Sequence, residues 1–296
     1  MPGKFMLKLV LMWTLCLLLF PLLVLQGIWV RRTTVSLPEA AHPNHGTYDG
    51  KEPAIHILGL GDSVIAGVGV NDLEESLTAQ IARSTSRKVD RRVNWRADGC
   101  NGDKARDLLA RYQAVDNNDP NHLRFSETGE LLEPAVPFAV DRAWQEDNGT
   151  TLPDYVVVSI GVNDVSGLTS LTRWNFEITQ VIASLREHFG VPILFLGIPP
   201  MARFPALIHP LKFALGVRAA MLDKTIQRAA ELLPDVHWID SLNLFQPGHM
   251  AADGYHPSTI GCEVLGEVIA EVVVKLEKTS AERTGFVQIT DGKDQQ

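Results

Sequence analysis

AIHILGLGDS, residues 54–63, decides how this chain folds. Ala54 to Leu60 is an apolar run of strand length, and an acid and a serine follow at its end. A short continuous apolar run bounded by turn residues reads as a strand buried on both faces. Such strands recur along the chain, at Arg92–Ala97, Tyr155–Ile160 (YVVVSI), Val191–Ile198 and Val236–Ile239. Helical stretches lie between them, at Leu73–Ser86, Asp103–Tyr112, Leu171–Phe189, Leu211–Leu233 and Ser258–Glu277. Leu73, Leu77 and Ile81 form one apolar stripe on the first of these. This alternation predicts an α/β fold: a three-layer α/β/α domain around a mostly parallel sheet of about five strands.

In an open parallel sheet, ligands bind beyond the carboxyl ends of the strands. The polar clusters of this chain fall there. The first strand ends in Gly61-Asp62-Ser63, the second leads into Asp98-Gly99-Cys100-Asn101-Gly102, and the third ends in Gly161-Val162-Asn163-Asp164. The last leads through Asp240 into a loop ending Asp253-Gly254-Tyr255-His256-Pro257. A serine nucleophile needs a base to take its proton and a group to orient that base. Ser63 supplies the hydroxyl, and Asp253 stands three residues before His256. His249 is the alternative base. Asp62, Asp164 and Asp240 read as turn-fixing or structural acids.

Four blocks in this order resemble the SGNH hydrolase superfamily, the GDSL lipases and esterases. The likeness spans roughly Ile55 to Leu276. Val64 stands where leucine is commoner, and Asn101 precedes Gly102 where the family usually has serine. The resemblance implies a flavodoxin-like SGNH fold, with Ser63 as nucleophile, His256 as base and Asp253 as its orienting acid. It places the oxyanion donors on the backbone N–H of Ser63, the backbone N–H of Gly102 and the side-chain amide of Asn163. Gly99 competes with Gly102, which is preferred because it directly precedes the predicted helix. The expected activity is hydrolysis of acyl esters through an acyl-enzyme. An acyltransferase using the same groups, or a non-catalytic binding module, is the alternative. Gly161-Val162-Asn163-Asp164 and the Pro199-Pro200 stretch also resemble a subgroup linked to bacterial long-chain N-acyl amino acid biosynthesis. That points to a lipid-like acyl substrate, for which apolar Ile198–Leu207 would suit as a channel. No spacing resembles a metal site, and no cofactor is expected.

Composition narrows the partners. The net charge is −8, and the first 32 residues hold Lys4, Lys8, Arg31 and Arg32 without an acid, so the remainder carries −12. So acidic a body argues against nucleic acid as a partner, which needs a basic face; Arg83, Arg87, Lys88, Arg91 and Arg92 read as the polar end of a helix and its turn. Leu9 to Val30 is 22 residues without a charge, about 33 Å if helical, which suits a membrane-spanning helix. The expected organisation is a membrane anchor over 1–32, a polar linker over 33–53, the hydrolase domain over 54–278 and a polar tail over 279–296. The body is expected on the exported side, periplasmic in a bacterium. Val115–Gly149 is expected to be an extended loop. Cys100 and Cys262 read as free thiols rather than a pair. The sequence sets no oligomeric state.

Overall fold

The computed structural model describes residues 19–41, 43–112, 124–125, 131–132, 152–242, 246 and 248–291. Its sheet has six strands: β1 (His45–Tyr48), β2 (Lys51–Gly61), β3 (Arg91–Gly99), β6 (Tyr155–Ser159), β7 (Ile193–Leu196) and β8 (Val236–Ile239). They lie in the order β1-β3-β2-β6-β7-β8. All neighbours are parallel except β1, which runs antiparallel to β3. A separate two-stranded ribbon joins β4 (Arg124–Phe125) to β5 (Leu131–Leu132). The expected loop over Val115–Gly149 otherwise lies outside the described residues.

Alternate residues of the central strands face opposite layers, as strand geometry dictates. Leu58, Leu60, Val156, Val158 and Phe195 enter one buried cluster; Ile55, Ile57, Tyr155, Val157 and Leu194 enter the other. The first layer is completed by α3 (Ala105–Tyr112), α5 (Leu171–Phe189) and α6 (Leu211–Leu232). On the opposite face lie α2 (Leu77–Val89) and α7 (Thr259–Asp291). A short α4 (Val162–Ser166) follows β6 directly. Residues fully removed from water on both faces explain why these strands read as unbroken apolar runs rather than as an alternation.

Four expectations need correction. The sheet has six strands rather than about five, because His45–Tyr48 of the supposed linker pairs with β3. Helix α2 begins at Leu77, since Ser76 is extended and Leu73–Glu75 forms a separate 3₁₀ turn. The last helix runs on through Asp291, well into the expected tail; no proline interrupts residues 279–291.

The fourth concerns the membrane anchor. Among the described residues, no helix is long and apolar enough to cross a membrane. Residues 9–18 of the apolar run lie outside the described residues. The rest belongs to helix α1, residues 19–33, which continues through Arg31 and Arg32. One stripe of α1 is committed to the protein: Val30 is buried in the core and Leu23 packs against it. Between them in sequence, Gln26 donates to the His209 carbonyl at 2.8 Å and accepts from the Leu211 N–H at 3.1 Å, at the start of α6. Positions 23, 26 and 30 share a helix face, so the described part of the apolar run lays one face on its own domain while Phe20, Leu25 and Trp29 stay exposed.

Candidate active site

Strand register assembles three of the four polar blocks. Gly61 is paired with Gly99 on one side and Ser159 on the other, so β2, β3 and β6 end together. Gly61 has φ +150°, and a Cβ there would lie 1.9 Å from the Ser159 carbonyl oxygen. Only glycine lets the chain turn so close to its neighbour. The turn that follows is held by Asp62, whose carbonyl accepts the Ile65 and Ala66 N–H groups at 3.1 and 3.0 Å. Its side chain accepts the Val64 N–H at 3.2 Å. Ser63 is carried at the head of this turn and is nearly buried. Burial pushes the Asp62 carboxyl up to about 7, against the opposing pull of the Val64 N–H and of His256.

The fourth block is a self-contained loop. Its acid, Asp253, accepts the N–H groups of Tyr255 and His256 on Oδ1, at 2.9 and 3.1 Å. Oδ2 meets His256 Nδ1 at 2.5 Å. Burial alone would raise the Asp253 carboxyl. The hydrogen bonds from the His256 ring and these two backbone groups outweigh it and hold the carboxyl below its ordinary value. The far nitrogen, His256 Nε2, lies 2.8 Å from Ser63 Oγ. Ser63, His256 and Asp253 are thus brought into one hydrogen-bonded series from the two ends of the domain. His249 sits earlier in the same loop, where its carbonyl accepts the Ser258 N–H; the ring that meets Ser63 is that of His256.

The second and third blocks lean on each other. Asn163, in α4, donates its side-chain amide to the Asp103 carbonyl at 3.0 Å. Next to it, Asp164 accepts the Ala105 N–H at 3.0 Å, at the start of α3, and the Thr169 hydroxyl at 2.8 Å. Burial raises the Asp164 carboxyl, while the Ala105 and Thr169 hydrogen bonds oppose the rise. Gly102 has φ +93° with open space where a Cβ would stand, so its backbone conformation calls for glycine. Gly99 serves a different purpose: a Cβ there would meet the Ala66 nitrogen at 2.2 Å. Its bareness lets the loop lie against the Ser63 turn. Asn101 also lines the site, with its N–H given to Glu39 at 2.7 Å.

A cavity of about 130 Å³ opens over Ser63, Asn163 and His256. Val64, Ile160, Val162, Pro199, Phe204 and Tyr255 contribute apolar wall. Tyr255 stands edge-on to Phe204 with ring centroids 5.4 Å apart. Of the apolar stretch Ile198–Leu207, Pro199 and Phe204 reach this wall, whereas Met201 and Leu207 are buried in the core. Asp240 accepts the Leu242 N–H, a turn contact. Cys100 and Cys262 are free thiols, one exposed and one buried. Among the described residues, no group of three or more His, Cys, Asp or Glu side chains could hold a metal ion.

Comparison with known proteins bears on the same strand ends. A family model described as GDSL-like lipase/acylhydrolase matches residues 60–264. The psychrotrophic esterase EstA from Pseudoalteromonas sp. is 14% identical and superposes at a TM-score of 0.50, covering 75% of this chain and 98% of that one. The family 3 carbohydrate esterase of Clostridium thermocellum is 15% identical at a TM-score of 0.50, over 77% and 99%. At such identities these structures share the fold. No curated protein matches the sequence. The family match takes in all four strand-end blocks, and this chain belongs to the GDSL-like lipase/acylhydrolase family of serine hydrolases.

Proposed function

We propose that the protein is a serine esterase or lipase that cleaves acyl esters through a covalent acyl-enzyme on Ser63. The observation that carries this reading is the His256 ring, whose nitrogens meet Asp253 at 2.5 Å and Ser63 at 2.8 Å. Ser63 Oγ attacks the ester carbonyl carbon while His256 Nε2 takes its proton. Asp253, kept ionised below its ordinary range, orients the ring and stabilises the imidazolium. The carbonyl π electrons move onto oxygen, and the resulting oxyanion is met by the N–H groups of Ser63 and Gly102 and by the Asn163 amide. Donors aimed at developing charge are each worth about 2.7–4 kcal/mol of barrier. The tetrahedral adduct then collapses, its C–O bond to the alcohol breaks, and His256 returns the proton to the leaving oxygen. Water, deprotonated by the same nitrogen, attacks the acyl carbon; the second tetrahedral adduct collapses, its bond to Ser63 Oγ breaks, and His256 returns the proton to Oγ as the carboxylic acid leaves.

The apolar wall over Ser63 supports an acyl substrate, and the likeness of residues 161–164 and 199–200 to the N-acyl amino acid subgroup supports a lipid-like chain. The EstA structure is described as inhibited by monoethylphosphonate, and a phosphonate is the natural probe here. A fluorophosphonate should label the wild-type protein at Ser63, as read by peptide mass spectrometry, and leave Ser63→Ala unlabelled. Wild-type protein that stays unlabelled and inactive on p-nitrophenyl esters of varied chain length would sink the proposal. Product analysis with an added alcohol or amine acceptor separates hydrolysis from acyl transfer.

A further inference from the structure

Arg111, in the last turn of α3, has its side chain largely withdrawn from water, only 14% exposed, and its guanidinium faces three acceptors: one at the end of β2, one at the end of β3 and one in the loop that follows β3. Nη1 lies 3.4 Å from Asp98 Oδ1. Nη2 donates to Asp103 Oδ2, and at 3.2 Å to the carbonyl of Gly61. Asp98 and Asp103 bracket the loop that carries Cys100, Asn101 and Gly102. Gly61 is the last residue before Asp62-Ser63, and its carbonyl also accepts the Cys100 N–H at 3.1 Å. The Asp103 carbonyl in turn receives the Asn163 amide. Tyr112 adds a hydrogen bond to Asp98 at 3.3 Å.

We infer that Arg111 is a positioning residue for the oxyanion site: its guanidinium ties both ends of loop 98–103 to the strand end that delivers Ser63. The inference rests on the esterase reading above. Arg111 does not line the cavity, so it acts through what it holds. The loop must keep Gly102 at a fixed distance from Ser63, yet Gly102 is exposed and nothing packs where a Cβ would stand. A planar guanidinium fork can satisfy carboxylates on either side and a carbonyl at once. A lysine ammonium is a point charge that cannot reproduce that geometry. Displacement of catalytic groups by an ångström costs rate on the order of 10²-fold.

The test compares wild type, Arg111→Lys and Arg111→Ala on p-nitrophenyl acetate, their active sites titrated to completion by a fluorophosphonate so that rates refer to folded, competent molecules, with Ser63→Ala at equal protein concentration as the blank. In Arg111→Ala, kcat per titrated site should fall roughly 10²-fold while KM stays nearly constant. Millimolar guanidinium should recover part of that loss, and should recover nothing in Ser63→Ala. Arg111→Lys, which keeps the charge, should be impaired without being rescued. Wild-type kcat per titrated site in Arg111→Ala or in Arg111→Lys would overturn the inference while leaving the esterase reading intact. A lost kcat that guanidinium does not restore, accompanied by a matching rise in KM, would also overturn it. Wild-type protein that neither labels nor turns over would overturn both.

Discussion

The two halves of the candidate site are built in opposite ways. Ser63, Gly102 and Asn163 stand on separate strand ends, and their relation depends on long-range register: Gly61 against Gly99, Gly61 against Ser159, and cross-links from Asn163, Asp164 and Arg111. The Asp253–His256 half is local. One carboxylate accepts two backbone N–H groups and orients a ring three residues away. The loop closes on itself through the Ala251 N–H to the His256 carbonyl, at 2.8 Å. One half borrows its rigidity from the sheet, and the other carries its own.

Substitutions can break or sharpen that contrast. The largest effect belongs to the atom the halves share: Ser63→Ala should lower kcat for p-nitrophenyl ester hydrolysis by about 10⁶-fold, measured against the background rate. Asp253→Asn should cost about 10⁴-fold, because the ring loses its anionic partner. Thermal melting of that variant should change little, since an amide oxygen can still accept the Tyr255 and His256 N–H groups; a collapse in melting temperature would contradict the picture of a self-contained loop. Asn163→Ala should reduce kcat by about 10²–10³-fold with KM little changed. Equal losses in kcat and in substrate affinity would move Asn163 out of the oxyanion site.

Asp62 provides the smallest and most selective effect. Its carboxyl is held near 7 in the folded protein by burial, well above its ordinary value of 3.8. Between those values the folded chain keeps a proton that the unfolded chain has released. The folded state is therefore favoured most at acidic pH, and this contribution is lost as pH rises through about 7. Asp62→Asn removes the titration while retaining an acceptor for the Val64 N–H. Melting temperatures of variant and wild type should lie close at pH 4.5 and diverge in the variant's favour by pH 8. A constant difference across that range would show that the Asp62 charge is not what changes.

Much of this was open to reading in the sequence, for identifiable reasons. Buried parallel strands such as YVVVSI declare themselves by unbroken β-branched composition, and parallel topology then places every strand end on one edge. That alone aligns Ser63 with Asn163. The spacing of Asp253 and His256 is a local signal and survives folding unchanged. What escaped has no periodicity. The β1 strand is four residues long within a polar, proline-containing stretch, so nothing in its composition separates it from a linker. The run Leu9–Val30 has the length and composition to suit a bilayer, and composition cannot reveal that Val30 and Leu23 join the core while Gln26 bonds to His209 and Leu211. Arg111 stands eight residues beyond Asp103, and its partners are chosen by how the loop folds back, which no spacing rule records.

The position of β1 has a consequence for how the molecule behaves among its own kind. Without it, β3 would form the border of the sheet as a nine-residue strand whose outward amides and carbonyls lack a strand partner, with Val93 and Trp95 in its middle. Long open borders of that sort recruit strands from other copies. The antiparallel pairing of His45–Tyr48 with residues 93–96 replaces that border with a strand of four residues, the short kind of edge that offers little to strands of other copies.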